Sequence, residues 1–305
     1  MCEDDIEARC ASHAHVASDA RFASGEVFGD WRITVFIGRG GSGEVYCAEH
    51  VTLGTPAAVK VLVRDDERAK ARFVGEARLV AKLRSDAFPR FFAYGEANGA
   101  AYLAMELLEP GDLPTGDRAV ARFMLKLCEA VAELHALGLV HRDIKPGNVL
   151  WRTQNKAEPV LADLGLAAEA NASDIGRRTG AGTPGYSAPE QMERGEATEV
   201  SDIHSLGVLV DRCFGGRPPR AWKRIIERAT SSIPAHRYHD VASFARAIRT
   251  RHRLMRMLLI LIAAASLAVV ALVAWRSVES RRAQQEDRLQ KEHEEILEML
   301  QRDVY

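Results

Sequence analysis

The stretch His141-Arg-Asp-Ile-Lys-Pro-Gly-Asn148 decides how this chain is read. Within six positions it sets a carboxylate (Asp143), an ammonium (Lys145) and a side-chain amide (Asn148). Phosphoryl transfer from ATP asks for those three group types close together. A carboxylate accepts or orients the proton of the attacking hydroxyl, a cation neutralises charge on the moving phosphoryl group, and a side-chain oxygen holds Mg²⁺ beside a second carboxylate. A bare His-Arg-Asp arises by chance. The longer pattern with Lys, Pro and Asn in place is far rarer, and its partners follow in order on both sides.

Upstream, Gly38-Arg-Gly-Gly-Ser-Gly43-Glu-Val45 fits G-x-G-x-x-G-x-V. Such a run alone is a weak signal, because dinucleotide-binding folds place it between a strand and a helix. Here apolar β-type runs lie on both sides, Val35 to Ile37 and Val45-Tyr46, so the segment reads as a hairpin whose glycines (Gly38, Gly40, Gly43) let the backbone close over phosphates. Ala58-Val59-Lys60 lies on the next expected strand. Flanked by Val59 and Val61, Lys60 points into a cleft rather than to solvent. The acid expected to hold it is Glu76, 16 residues on in a helical stretch; Glu67 competes but lies near that helix's start. Downstream, Asp163-Leu-Gly165 follows an apolar run 20 residues after Asp143. Its carboxylate is placed to bind Mg²⁺ together with Asn148.

The 305 residues carry 41 basic and 42 acidic side chains, a balance that argues against a nucleic-acid binder working through bulk positive charge. Five scattered cysteines, with no closely spaced pair, fit a reduced, cytosolic setting rather than a disulfide framework. Residues 1–27 are polar and aperiodic and read as a flexible leader. Its Cys2, Cys10, His13 and His15 match no metal-site spacing. Residues 28–251 form the globular part. Short β-like runs (Trp31 to Ile37, Val45 to Glu49, Ala57 to Val63, Ala101 to Glu106) are interrupted by one helix, Glu67 to Leu83. After Asp117 the pattern turns helical, with Phe123, Leu127, Val131 and Leu134 on one face of Val120 to Leu137.

These motifs together resemble the eukaryotic-like (Hanks-type) Ser/Thr protein kinases, especially the membrane-anchored bacterial ones, over about residues 30 to 250. The resemblance implies an α+β, two-lobe protein kinase fold, with a small β-rich N-lobe and a larger α-rich C-lobe. It implies ATP and Mg²⁺ (or Mn²⁺) as cofactors and protein Ser/Thr hydroxyls as substrates. It also assigns roles: Asp143 as catalytic base, Lys145 as γ-phosphate contact, Asn148 and Asp163 as metal ligands, and Lys60 with Glu76 as the ion pair. Gly38, Gly40, Gly43 and Val45 cover the nucleotide. Glu106 and Leu108, after a gatekeeper Met105, grip adenine through the backbone, and Asp112 contacts ribose. Gly182 to Glu190 (GTPGYSAPE) resembles the substrate-docking segment, with Thr183 bonding the catalytic Asp and Lys and Glu190 pairing with Arg237. Asp202 supports the catalytic loop. Arg142 is placed to meet a phosphate on the activation loop, Leu166 to Ala181, with Thr179 favoured over Ser173 as the autophosphorylation site. Two departures stand out. DFG is DLG, with Leu164 in the apolar role, and the stretch from Phe214 to Trp222 is too short for the family's usual extra helix, which puts substrate recognition in doubt. A pseudokinase or nucleotide-binding scaffold is the competing reading, disfavoured by the complete catalytic set.

Residues 257–275 are 19 consecutive uncharged residues, about 28 Å as a helix and close to the roughly 30 Å hydrocarbon core. They read as a single transmembrane helix. Arginines flank both ends, so the positive-inside bias is weak. The cytosolic location of ATP sets the expected orientation in the cell (inner) membrane, with the kinase domain cytoplasmic and the tail outside. Residues 276–305 form a charged, helical tail. It reads as a solvated helix or as a short coiled coil that, like the kinase domain, offers a surface for a homodimer.

Overall fold

In the computed structural model, residues 20–40, 43–64, 66–83, 85–152, 159–164, 168–169, 182–251 and 253–302 are described. The chain divides into two units, Met1–Arg249 and Thr250–Tyr305.

Strand-forming runs near the N-terminus build a six-stranded antiparallel sheet from β1 (Val27–Phe28), β2 (Trp31–Arg39), β3 (Glu44–His50), β4 (Pro56–Val61), β5 (Phe91–Ala97) and β6 (Ala100–Glu106), in the order β1-β2-β3-β4-β6-β5. The glycine-rich turn is the β2–β3 hairpin, with Gly38 opposite Val45 and Arg39 opposite Glu44. Every residue of β4 is buried, as expected for a central strand covered on both faces. β5 is not among the strands expected from the sequence. Its residues alternate between partly buried and exposed, the period-2 signature of an edge strand with one wet face.

Helix α1 (Glu67–Lys82) starts at Asp66, whose Oδ1 accepts from the Ala69 N–H at 2.7 Å, an N-cap worth about 1 kcal/mol. Phe73 and Ala77 on its inner face pack with Leu62 and Leu103 of the sheet. Burying Phe73 contributes about 2–3 kcal/mol and fixes the helix azimuth, which turns Glu76 toward β4.

The larger lobe is organised by α2 (Asp117–Ala136), whose buried Val120, Phe123, Met124, Leu127, Val131 and Leu134 recur at helical spacing. Two short two-stranded sheets follow, β7 (Leu139–Val140) paired with β10 (Ala168–Glu169), and β8 (Val149–Trp151) paired with β9 (Pro159–Leu161). A 3₁₀ turn at Pro146–Asn148 precedes β8. The core closes with α3 (Pro189–Arg194), α4 (Glu199–Cys213), α5 (Arg220–Ala229) and α6 (Val241–Thr250). The short connection after Phe214 is sealed by Trp222. Its ring lies 5.5 Å from that of Phe214, it is fully buried, and its indole N–H donates to Asp117 Oδ1 at 2.7 Å.

The sequence reading of a flexible leader through residue 27 needs correction at its C-terminal end. Phe22 is buried, packs edge-on against Phe28 at 4.9 Å, and its N–H donates to the Tyr46 hydroxyl at 3.2 Å. An aromatic within a polar stretch lacks periodicity, so its docking is invisible until the Phe28–Tyr46–Tyr102 cluster exists to receive it.

The second unit contains one long helix, α7 (Arg253–Arg302). Its Ile260–Gln290 segment holds an 18-residue window of mean hydropathy 2.0 and is long and apolar enough to cross a membrane by length and composition. Its described apolar side chains, including Ile260, Leu261, Leu267 and Val270, are exposed.

Candidate active site

The site begins with backbone geometry. The loop from β7 into the 3₁₀ turn carries Arg142 at φ 72°, a left-handed conformation that costs a non-glycine residue about 1–3 kcal/mol. Asp202, on α4 and buried, holds that conformation. It accepts the His141 N–H at 2.8 Å on Oδ2 and the Arg142 N–H at 2.9 Å on Oδ1. His135 Nε2 donates to the same Oδ2 at 2.9 Å. Gln191 adds a bond from its side-chain amide to the Arg142 carbonyl at 2.6 Å.

The loop so held presents Asp143, buried but for 7 % of its surface. Lys145 Nζ lies 2.7 Å from Asp143 Oδ2, and Asn148 Nδ2 donates to Oδ2 at 3.0 Å and to the Asp143 carbonyl at 2.8 Å. The 3₁₀ turn brings Asn148 back onto Asp143, which explains the five-residue spacing. Thr183 completes the cluster: its hydroxyl donates to Asp143 Oδ1 at 2.7 Å and accepts from Lys145 Nζ at 2.9 Å. A serine or threonine at this position therefore locks a segment 40 residues downstream onto the catalytic loop. Downstream of Thr183, Ser205 Oγ donates to the Tyr186 carbonyl at 3.0 Å. Glu190 is gripped by Arg237 through a fork of 2.7 and 2.8 Å.

A second cluster centres on Lys60, which is 5 % exposed. Its ammonium meets Glu76 Oε1 at 2.6 Å and Asp163 Oδ1 at 3.2 Å. Burial pushes the Lys60 ammonium down, but the two carboxylates outweigh it and raise it above its ordinary value, so it stays charged. Glu67, the competing acid, is almost fully exposed and faces Lys70 instead. Asp163 has φ 58° and a half-exposed side chain. The Ala162 N–H donates to the Asn148 carbonyl at 2.8 Å, which seats Asp163 just beyond Asn148. Leu164 is buried in the same core cluster as Leu79, Val80 and Phe88, so it fills the apolar role expected of it and anchors the chain directly after Asp163. Asp163 and Asn148 are hard oxygen donors. Two such ligands, with phosphates and water completing the shell, suit a divalent cation of the Mg²⁺ type.

Val45, Ala58, Met105 and Leu107 gather in one apolar ceiling on the sheet that carries Lys60. A Cβ at Gly38 would meet no atom within 4 Å, and one at Gly40 only the Gly43 carbonyl at 4.0 Å, so both face open space. Gly43 has a different reason: a Cβ there would strike the Val61 carbonyl, so the close approach of β3 to β4 requires glycine. Leu108 is buried and Asp112 exposed. Gly41, Ser42, Ser173, Arg177, Arg178 and Thr179 lie outside the described residues.

Sequence reasoning missed a network beside the glycine turn. Glu44 is fully buried, accepts from the Tyr46 hydroxyl, from Arg39 Nε at 2.9 Å and from the Arg21 N–H at 3.1 Å. Burial pushes its carboxyl up, but these bonds and the Arg39 charge hold it below its ordinary value. Arg21 also reaches the Val63 carbonyl at 2.9 Å. The signal would have been a carboxylate between Gly43 and Val45 flanked by Arg39 and Tyr46, the two local side chains able to donate to it.

The protein kinase domain family matches residues 31–261. Among curated proteins, Serine/threonine-protein kinase pkn2 of Myxococcus xanthus is 37% identical over 211 residues, which cover 63% of this chain and 25% of the relative. Serine/threonine-protein kinase PknH of Mycobacterium tuberculosis is 34% identical over 216 residues, covering 67% of this chain and 34% of the relative. Serine/threonine-protein kinase Pkn1 of Myxococcus xanthus is 30% identical over 263 residues, covering 72% and 38% respectively. The chain thus spans between a quarter and two fifths of the length of these relatives. With the hairpin of glycines, the buried Lys–Glu pair and the loop cluster around Asp143 all assembled on one two-lobed frame, the match leaves one assignment: this chain belongs to the protein kinase domain family.

Proposed function

We propose that the chain is an ATP-dependent serine/threonine protein kinase that moves the γ-phosphate of ATP onto Ser or Thr hydroxyls of protein substrates. The observation that carries this reading is Thr183, bonded at once to Asp143 and Lys145. It holds together the group that takes the proton and the group that meets the transferred phosphate. In this reading Asp143 orients the attacking hydroxyl and accepts its proton, and Lys145 offsets negative charge on the phosphoryl oxygens. Lys60, held by Glu76, contacts the α- and β-phosphates. Glu106 and Leu108 hold adenine by their main chains under the Val45–Ala58–Met105–Leu107 ceiling, and Asp112 reaches the ribose. Asn148 and Asp163 would hold the metal, Mg²⁺ with Mn²⁺ as a substitute, which would supply positive charge against the charge developing on the phosphates.

The domain layout belongs to the same proposal: a kinase domain over residues 28–251 with Arg21 and Phe22 docked on its sheet, one span within α7, and a charged tail. The kinase domain lies in the cytoplasm of a cell with the tail across the inner membrane, and homodimers form through the tail or the kinase domain. Thr179 or Ser173 is the site of autophosphorylation.

Full-length protein in detergent micelles, incubated with Mg-ATP beside Asp143→Asn, tests the core of this reading by intact mass. Phosphate on the wild type alone is the expected result. Nucleotide binding without phosphate on the protein or on a generic acceptor would replace the enzyme with a nucleotide-binding scaffold.

A further inference from the structure

We infer that Arg152 is a positioning residue for the nucleotide. It clamps the hinge residue Glu106 and the loop between α1 and β5 onto the larger lobe, and so sets the affinity of the site for adenine nucleotides. The inference rests on the kinase reading of the hinge, and no motif in the sequence points to this residue.

Arg152 directly follows β8, the strand that leads out of the Asn148 turn. Its Nε donates to Glu106 Oε1 and its Nη2 to Glu106 Oε2, both at 2.9 Å, a forked carboxylate–guanidinium pair. The same Nη2 reaches the Phe88 carbonyl at 2.9 Å, and Nη1 bonds the Asp86 carbonyl. The Arg152 side chain is 11% exposed and that of Glu106 18%, so water competes weakly for these bonds. Glu106 is tied to the loop as well, accepting the Arg90 N–H at 3.2 Å while its own N–H donates to the Arg90 carbonyl at 2.8 Å.

One guanidinium therefore joins three segments. The first is the end of β6, where the chain crosses between lobes. The second is the loop that follows α1, the helix bearing Glu76. The third is β8, which continues the catalytic loop. The loop is further pinned to the larger lobe by the Leu161 N–H, which donates to the Ala87 carbonyl at 2.8 Å, and by Phe88 in the same core as Trp151. Arg152 touches no reacting atom. It acts through Glu106, whose side chain it holds while the Glu106 main chain serves adenine. Lysine cannot replace it, because a single ammonium cannot span two carboxylate oxygens and two carbonyls in one plane.

The test uses full-length protein in detergent micelles. The dissociation constant of Mg-ADP is measured by titration calorimetry, together with kcat and KM for ATP, for wild type, Arg152→Lys, Arg152→Met, Glu106→Gln and the Arg152→Met/Glu106→Gln double variant. Both Arg152 variants are expected to raise the dissociation constant and KM about tenfold, the scale of one lost charge-assisted pair, with kcat within about twofold. In the Glu106→Gln background the Arg152→Met change adds little, because the pair acts as a unit. A folded Arg152→Lys protein with unchanged Mg-ADP affinity overturns the inference, as do Arg152 and Glu106 effects that simply add. The binding constants decide between these outcomes even where the wild type transfers no phosphate, since that result would sink the kinase reading alone.

Discussion

Replacing Asp202 with Asn is expected to weaken both the fold and the reaction, by an amount that follows from three hydrogen bonds. The carboxylate accepts the His141 and Arg142 N–H groups at 2.8 and 2.9 Å and the His135 ring at 2.9 Å. An amide is nearly isosteric but keeps only one accepting oxygen. Whichever way it is turned, its NH₂ group faces one of the two backbone N–H donors. His135 can exchange tautomer to suit; a peptide N–H cannot. One buried donor is then orphaned at about 1–3 kcal/mol, and the surviving bond loses its charge assistance, about 1 kcal/mol more. The sum, about 2–4 kcal/mol, corresponds to a fall in Tm of about 5–15 °C for a domain of this size. The released bond also anchors Arg142 at φ 72°, one residue before Asp143. Relaxation of that residue displaces the catalytic carboxylate, and displacements near 1 Å cost about 10²-fold in rate. Differential scanning fluorimetry and steady-state phosphorylation of a generic acceptor measure the two effects. An Asp202→Asn protein with Tm within about 1 °C and kcat within about twofold of wild type would refute the argument that this carboxylate holds the loop.

Three further outcomes are expected. Lys60→Met removes the cation between Glu76 and Asp163 and lowers kcat/KM about 10²-fold or more, while Glu76→Gln, which leaves the ammonium in place, costs less; a Glu76→Gln protein as active as wild type would show that the pair is not what orients Lys60. Arg237→Ala strands the buried Glu190 carboxylate, costs about 3–5 kcal/mol and lowers Tm by about 6–20 °C. Burial pushes the Glu190 carboxyl up, yet the bonds from Arg237 and Ser201 hold it below its ordinary 4.5, so the Tm gap between wild type and variant is full above that pH and narrows as pH falls through the lower folded value. Chelation of divalent cations with EDTA weakens the thermal stabilisation by ADP in the wild type but not in Asp163→Asn; an ADP shift indifferent to EDTA in the wild type would remove Asp163 from the metal site.

Residues whose partners are near in sequence or fixed by a motif are legible without the structure. Asp143, Lys145 and Asn148 lie within one turn of backbone, and their mutual bonds follow from that proximity. Lys60 pairs with Glu76 and not with Glu67, as the sequence suggests, because Glu76 sits on the apolar face of α1 beside Phe73 and Glu67 at its exposed start. The hairpin reading of the glycine run also holds in the β2–β3 register. What cannot be read depends on burial by distant segments. Arg21 and Phe22 dock onto Glu44 and Tyr46, 23 and 24 residues away. Arg152 reaches Glu106, 46 residues back. Neither has a periodicity or a spacing to reveal it, because charged and isolated aromatic side chains acquire meaning only once the sheet has brought their partners within reach. β5 is missed although Phe91-Phe-Ala-Tyr94 is an apolar run, because Gly95 and Glu96 cut that run off after four residues.

The two clusters of the site share a property that bears on how a nucleotide enters it. Each cation already sits on an acid: Lys60 on Glu76 and Asp163, Lys145 on Asp143. A buried ammonium without such partners would carry a desolvation cost of several kcal/mol, so the pairing is what allows Lys60 to be charged at 5 % exposure. The same pairing opposes a bare polyphosphate, whose negative charge would have to draw Lys60 from Asp163 and leave that carboxylate facing added anions. A nucleotide arriving with its divalent cation brings both halves of the exchange, an anion for Lys60 and a cation for Asp163, so no charge is stranded. Glu76 holds the ammonium at 2.6 Å, the shorter of its two carboxylate contacts. The half-exposed Asp163 and the deeply buried Glu76 are thus unequal partners by position, one contact reached by water and the other not. That inequality follows from placing Asp163 on a left-handed turn at the mouth of the cleft and Glu76 on a helix face beneath the sheet.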